Sequence, residues 1–214
     1  MKWKRAAPDI PFSALPGIGQ HALIIGQTGS GKTVLAHRLI RRSYFSLTLD
    51  IKRRIDWDGF HYFDELDDLI YACDSDPERF RHCVWRPDFE AADWEEFNRF
   101  YAWVFRRGNT LCYTDEASYV CKGDNVPKYL RALLMQGREL GISCYNACQR
   151  PIGIAQQMIS EAWGVYSFNL NMVQDREKLQ ATFAYPVDFL AKAQNHEFYV
   201  LKQTGYLGPF RARL

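Results

Sequence analysis

The residues from His21 to Thr33, HALIIGQTGSGKT, place an apolar run, a glycine-rich turn and a lysine–threonine pair in that order. Glycines at this spacing let the backbone turn tightly and direct its N–H groups at an anion, and a helix that begins after the turn presents its positive end to the same anion. The lysine adds charge at the β- and γ-phosphates, and the threonine hydroxyl is a ligand for Mg²⁺. The pattern GxxxxGK[ST] therefore predicts a site for a nucleoside triphosphate. Its predicted contacts are Gly26, Gln27, Thr28, Gly29, Ser30, Gly31, Lys32 and Thr33, the last of them on the metal.

Two adjacent acids form a second chemical landmark. The sequence LCYTDE at 111–116 is a short apolar run that ends at Asp115 and Glu116. Hydrolysis of a nucleoside triphosphate needs charge neutralisation at the phosphates, a held Mg²⁺ and a group that orients and deprotonates the attacking water. We expect Asp115 to hold the metal, and Glu116, on the opposite side of the strand's end, to be the general base. An exposed strand terminus is the alternative explanation of the pair.

A sensor and a cation complete the predicted chemistry. An apolar run over 142–148 ends at Gln149, and we expect this strand between the phosphate-loop strand and the acid-bearing strand, where the Gln149 amide would contact the γ-phosphate or the water. The transition state also needs a positive charge, for which Arg131, Arg138 and Arg150 are candidates. We favour Arg138 as an arginine finger that reaches the nucleotide of a neighbouring subunit from the last turn of its helix. A salt-bridged surface arginine is the alternative.

Apolar periodicity predicts the elements that must hold these groups. A helix from Gly31 to Arg42 follows the glycine turn, and the clearest helix in the chain runs from Asp93 to Arg107. Further helices are predicted over 128–140 and 174–183, strands over 22–25, 45–50, 82–86, 111–116, 142–148 and 165–170, a short strand and then a helix within 60–71, and a hairpin of 197–202 with 206–212. This order indicates an α/β fold in which helices flank a mainly parallel sheet that ends in a C-terminal β-hairpin.

The composition is that of an ordinary globular protein. With 214 residues, 47% of them hydrophobic and 24% charged, the chain is long enough for one domain, which we place at 21–214 behind an N-terminal arm at 1–20. A net charge of +2 does not indicate a nucleic-acid binder as a whole, so any DNA site would be local. The six cysteines form no CxxC pair, which favours free thiols in a reducing compartment. No apolar run is long enough for a membrane span, and we therefore expect a soluble intracellular protein.

Four segments together resemble the FtsK/HerA class of ring-forming ATPases, whose short single-domain members are viral genome-packaging ATPases. They are GQTGSGKT at 26–33, FSLTLDIK at 45–52, TDEAS at 114–118 and GRELGISCYNACQRP at 137–151. The resemblance implies a RecA-like (ASCE) P-loop NTPase fold, ATP and Mg²⁺ as cofactors, and a pentameric or hexameric ring that translocates double-stranded DNA. By position it implies that Lys32 and Thr33 contact phosphate and metal, that Asp115 and Glu116 are the Walker B pair, that Gln149 is the polar sensor and that Arg138 is the finger.

The same resemblance implies partners and DNA contacts. The partners would be double-stranded DNA, further copies of the chain and a capsid portal or vertex protein, in the host cytoplasm or on the viral particle. DNA would pass through a channel lined by loops, and the basic candidates there are Lys52, Arg53, Arg54, Lys122 and Lys128. Contacts between these side chains and phosphates would be independent of base sequence and sensitive to salt.

Other functions remain open on the same motifs. A P-loop kinase for a small molecule is disfavoured by the adjacent acids and by Gln149. A morphogenesis scaffold that binds nucleotide only to hold a ring together would show almost no turnover. A conjugation- or segregation-type DNA pump, or a helicase-like ATPase of the same class, is harder to separate, although such pumps usually carry membrane spans or extra DNA-reading domains. A GTPase is disfavoured because the sequence has no NKxD base-reading motif.

Overall fold

Nine strands form one sheet in the part of the chain that the computed structural model describes, namely residues 10–88, 90, 93–121 and 123–212. In chain order the strands are β1 (His21–Ile25), β2 (Ser46–Asp50), β3 (His61–Phe63), β4 (His82–Trp85), β5 (Leu111–Asp115), β6 (Ser143–Cys148), β7 (Ala162–Ser167), β8 (Glu197–Lys202) and β9 (Gly205–Arg211). The α-helices of the described residues are α1 (Lys32–Ile40), α2 (Leu66–Ser75), α3 (Trp94–Arg107), α4 (Lys128–Gln136), α5 (Gln156–Ser160) and α6 (Val173–Phe183).

The strand order across the sheet is β3-β4-β2-β5-β6-β1-β7-β8-β9. All pairings from β3 to β7 are parallel, and only β8 and β9 run antiparallel to their neighbours. The prediction of an α/β fold with a mainly parallel sheet and a C-terminal hairpin is thus confirmed. Strand β6 lies between β1 and β5, as predicted, so the carboxyl ends of these three strands lie side by side at one edge of the sheet.

The core fills both faces of the sheet. Residues of β1 alternate between two clusters, since Leu23 and Ile25 pack with α2 to α6 whereas Ala22 and Ile24 pack with α1. Packing on both faces explains why β1, β2 and β6 are buried at every residue rather than at alternate ones. All six cysteines are buried free thiols. Among the described helices, none combines the length and the apolar character that a membrane crossing requires.

Several element boundaries differ from the predictions. Helix α1 ends at Ile40 rather than Arg42, and α4 ends at Gln136 rather than Leu140. After α4 the N–H groups of Leu140 and Ile142 both donate to the Gly137 carbonyl, which reverses the chain into β6. Helix α5 was not predicted, because five residues are too few to show a helical period.

His21, the first residue of β1, gives the fold a dependence on pH. Its side chain is buried and its Nδ1 accepts a hydrogen bond of 3.0 Å from the Cys144 N–H. Burial lowers the pKa of His21 to about 4, against a weaker opposite effect of a hydrogen bond with the Leu134 backbone. The unfolded chain therefore takes up this proton first as the pH falls, so stability that is complete above about pH 6.5 is lost progressively down to about pH 4.

We expect His21 to cost the protein about 2 kcal/mol of unfolding free energy between pH 7 and pH 5. Urea unfolding at the two pH values measures this loss, which His21→Asn should reduce. The matched control is His61→Asn in β3, which should keep the loss seen in the parent. Equal losses in the parent and in His21→Asn would show that the pH dependence arises elsewhere.

Candidate active site

The predicted phosphate loop connects β1 to α1 at the carboxyl edge of the sheet. Gly29 and Gly31 have φ angles of 81° and 105°, a left-handed region that side chains disfavour. A Cβ on Gly26 would lie 2.5 Å from the Ser30 Oγ and 2.7 Å from the Phe168 Cβ, so this position has no room for a side chain. Gly29 and Gly31 are therefore required by the backbone conformation of the turn, and Gly26 by its close packing against Phe168, which follows β7.

Lys32 is the first residue of α1 and folds back across the loop. Its Nζ donates to the carbonyls of Gly26 at 2.6 Å and Gln27 at 3.1 Å. Burial lowers the pKa of Lys32, and the charges of Glu116 and Asp115 act in the opposite direction. The structure thus brings the predicted lysine into electrostatic range of both predicted acids, while Thr33 follows it in the first turn of the same helix.

Glu116 lies at the centre of a hydrogen-bond network immediately after β5. Its Oε1 accepts from the Ser118 hydroxyl at 3.0 Å and from the Gln149 N–H at 3.1 Å. Its Oε2 accepts from the Lys52 Nζ at 2.6 Å and from the Gln149 Nε2 at 3.1 Å. Burial is the largest effect on the pKa of Glu116 and acts to raise it, but the hydrogen bonds from these three residues and the charge of Lys52 outweigh burial, so the pKa is lowered. The carboxylate is therefore ionised and held in one orientation.

The backbone of Glu116 is in the left-handed region, with φ 58° and ψ 63°. A non-glycine residue in this conformation costs on the order of 1–3 kcal/mol and persists only where surrounding contacts fix it. Here the four hydrogen bonds to the carboxylate supply those contacts. The conformation ends β5 and turns the side chain toward the end of β6, where Gln149 lies.

Asp115 ends β5 next to a second buried acid. The Tyr113 hydroxyl donates to its Oδ1 at 2.9 Å, and the pairing of β2 with β5 places Asp50 opposite it. Burial raises the pKa of Asp115, and the charges of Asp50 and Glu116 raise it further. Carboxylate and hydroxyl oxygens are the ligands that Mg²⁺ prefers, and a cation would relieve the repulsion among these acids. The carboxylate of Asp115 and the hydroxyl of Thr33 are thus donors of the type that Mg²⁺ takes, and their role as its ligands stays a prediction.

The three candidate arginines lie in different places. Arg150 is at the carboxyl edge and its Nε donates to the buried Asp175 Oδ2 at 2.9 Å. Arg138 lies beyond the end of α4, not in its last turn, and packs beside Gly19, which precedes β1. Arg138 is thus at the amino edge of the sheet, opposite the phosphate loop of its own subunit, and Arg131 is exposed on α4. The finger role of Arg138 stays a prediction about a neighbouring copy.

The basic residues predicted to contact DNA differ in their exposure and in their partners. Lys52 turns inward onto Glu116, with its side chain 22% exposed. Arg53 pairs with Asp64 at the surface, and Arg54 is exposed beside it. Lys128 is exposed at the start of α4, and Lys122 lies outside the described residues. The DNA contacts of the exposed residues stay predictions, whereas Lys52 belongs to the candidate active site.

Sequence reasoning missed four residues of this site. Lys52 and Ser118 contact Glu116. The sequence could have indicated Ser118, because this residue follows Glu116 by two positions. Lys52 was predicted to contact DNA, and the sequence indicated only that it follows a strand that ends at the same edge as β5. Phe168 and His196 contact the phosphate loop, the latter with its Nδ1 3.2 Å from the Ser30 carbonyl oxygen. They come from distant segments, and no local pattern marks them.

The sheet order and the loop define the class of the fold, a P-loop NTPase in which one strand separates the phosphate-loop strand from the acid-bearing strand. The predicted P-loop fold is confirmed by solved structures that superpose on almost the whole chain. The genome packaging NTPase B204 of Sulfolobus turreted icosahedral virus 2, in complex with sulfate, has a TM-score of 0.72 at 14% identity and covers 91% of this chain and 98% of its own.

Two further structures are similar. The DNA-packaging ATPase B204 of Sulfolobus turreted icosahedral virus has a TM-score of 0.68 at 17% identity, with 92% of this chain and 100% of that chain covered. VirB4 of Thermoanaerobacter pseudethanolicus has a TM-score of 0.62 at 12% identity, with 91% and 89% covered. No protein-family model matches the chain, and a search of curated proteins finds no match. At these identities the similarity establishes the shared fold.

Proposed function

We propose that this chain is an ATPase that translocates double-stranded DNA and packages a viral genome into a preformed capsid. The observation that carries the proposal is the meeting of Glu116 and Gln149 beside the Lys32 loop. A fixed carboxylate, a polar amide and a phosphate-binding lysine at one sheet edge are what hydrolysis of a nucleoside triphosphate requires. A P-loop alone would equally suit a kinase or a scaffold.

The side chains divide the work of hydrolysis as follows. Lys32 and the N–H groups of the loop bind the β- and γ-phosphates. Thr33 and Asp115 would hold Mg²⁺, which when bound neutralises phosphate charge. Glu116 takes the proton from the attacking water, and Gln149, already bonded to Glu116, orients that water and contacts the γ-phosphate. A finger from a second copy, for which Arg138 is our candidate, would stabilise the charge that develops on the phosphate.

The step from ATPase to packaging motor rests on the comparisons and on the sequence resemblance. Both B204 proteins are described as genome- or DNA-packaging enzymes, and this chain covers almost the whole of each. Structures of B204 from Sulfolobus turreted icosahedral virus 2 are in complex with AMPPCP and with ATP-γS, which supports ATP as the nucleotide here. The proposal includes a pentameric or hexameric ring, a capsid portal or vertex protein as partner, and action in the host cytoplasm, with one ATPase domain at 21–214 behind the arm at 1–20.

We expect ATP hydrolysis by the purified chain to rise when long duplex DNA is added. The Arg53→Ala, Arg54→Ala double variant should lower the ratio of DNA-stimulated to basal turnover toward one, because exposed guanidinium groups contact phosphates. Lys52 is left unchanged in this variant since it contacts Glu116. Phosphate release, measured with and without DNA at two salt concentrations alongside the mass of the assembly, tests this expectation.

The matched control is Arg79→Ala, an exposed arginine between α2 and β4 at the other edge of the sheet. Its stimulation should equal that of the parent. ATP turnover that is unchanged by DNA but requires a small molecule as phosphoryl acceptor would indicate a kinase. Nucleotide binding without turnover would indicate a scaffold. If DNA stimulated the double variant as strongly as the parent, Arg53 and Arg54 would not be DNA contacts.

A further inference from the structure

We propose that Lys52 is a positioning residue for catalysis, which holds the carboxylate of Glu116 in the orientation that hydrolysis requires; the proposal rests on the hydrolytic role of Glu116 given above. The Lys52 Nζ lies 2.6 Å from the Glu116 Oε2, the same oxygen that accepts from the Gln149 side-chain amide. Among the described residues Lys52 is the only donor to Glu116 that carries a full charge, so its contact adds an ion pair to the hydrogen bond.

Contacts within the loop after β2 hold the backbone of Lys52 in place. Asp50, fully buried at the end of β2, accepts hydrogen bonds from the N–H groups of Arg54 at 3.2 Å and Ile55 at 2.8 Å. Arg86 on the neighbouring side pairs with the same carboxylate. These contacts fix the turn that contains Lys52. Its ammonium group therefore extends toward Glu116 from a backbone that is held in place.

Glu116 needs this support because only one other donor in the described part of the chain reaches its Oε2 atom. The Oε1 atom receives two donors, Ser118 and the backbone of Gln149, whereas Oε2 receives Lys52 and the Gln149 side-chain amide. Without Lys52 the Gln149 amide would be the remaining donor to Oε2, and this amide must also serve the water or phosphate. The strained backbone at Glu116 adds a tendency to relax once a contact is lost.

This role differs from direct binding of nucleotide and from a purely structural lysine. A residue that acts through the general base changes kcat and leaves the KM for ATP alone, because the ground-state contacts of the phosphates are unchanged. A nucleotide contact would raise KM. A structural lysine would lower stability without a selective effect on kcat.

The test compares steady-state ATP hydrolysis of the parent, Lys52→Met, Lys52→Arg and the control Arg79→Met. We expect Lys52→Met to lower kcat about ten- to hundredfold with KM within about twofold of the parent, since a misplacement of about 1 Å costs up to about 10²-fold. Lys52→Arg should recover most of the loss because it restores a charged donor. In a Glu116→Gln background, Lys52→Met should lower the residual turnover by less than about twofold, because the two changes act through one carboxylate.

A second measurement does not need turnover. The Gln149 N–H donates to Glu116, so its amide exchange, measured without added nucleotide, should accelerate in Lys52→Met, while exchange at Asn146 in the preceding strand β6 stays unchanged. Raised KM, raised kcat, or unchanged kcat with unchanged Gln149 exchange would each overturn the role of Lys52. A parent without ATP turnover whose Gln149 exchange still responds to Lys52→Met would instead refute the proposed function while keeping the contact.

Discussion

Glu116→Gln is expected to lower ATP turnover by a factor on the order of 10³, within the range found for removal of a general base. Glutamine matches the shape of glutamate and keeps one acceptor oxygen, but it cannot take a proton from water. The phosphate loop is untouched, so nucleotide affinity and assembly should remain close to those of the parent. Single-turnover hydrolysis and binding of a non-hydrolysable ATP analogue measure the two quantities separately.

The control for this variant is Glu139→Gln, an exposed acid in the turn between α4 and β6. Its turnover should equal that of the parent. Because Glu116→Gln also removes the ion pair with Lys52, the melting temperature of each variant should be recorded so that a loss of folding is recognised. Substantial turnover in folded Glu116→Gln would show that another group accepts the proton.

Lys32→Met is expected to weaken nucleotide binding by about ten- to hundredfold and to reduce turnover below that of Glu116→Gln. A charged hydrogen bond to phosphate contributes about 1.5–3 kcal/mol, and the same charge is needed again in the transition state. The Lys32 Nζ also donates hydrogen bonds to the carbonyls of Gly26 and Gln27, so its loss removes two contacts that hold the loop. Calorimetric titration with an ATP analogue checks the affinity.

Arg41→Met provides a comparison at the other end of α1, because Arg41 follows that helix at the far edge of the sheet. It should bind nucleotide as the parent does. If Lys32→Met bound the analogue with unchanged affinity, the loop would not be the phosphate site, and the assignment of Glu116 and Gln149 would lose its foundation.

The sequence predicted the part of the site that is local in the chain. The spacing of Gly26, Gly31 and Lys32 is readable because loop, helix start and lysine are consecutive, and Asp115 with Glu116 is readable because both follow one apolar strand. The place of β6 between β1 and β5 was also predictable. Gln149 can contact the γ-phosphate or the attacking water only if its strand ends between the phosphate loop and the two acids.

The directions of long side chains were not predictable. Lys52, Arg53 and Arg54 are consecutive and all positively charged, yet one enters the site and another pairs with Asp64. The difference depends on how Asp50 closes the turn, which requires the fold. Arg138 shows the same limit, because the helix that was expected to carry it stops at Gln136, where Gly137 accepts the bonds that reverse the chain.

The two margins of the sheet restrict how copies of the chain can meet. At one margin β3 has only three residues, and at the other β9 contains Pro209, which has no N–H to offer a further strand. A short strand and a proline both discourage the addition of another chain by backbone hydrogen bonding. In the proposed ring, subunits would therefore join through side chains of loops and helices, contacts that can break and re-form while the sheet of each subunit stays intact.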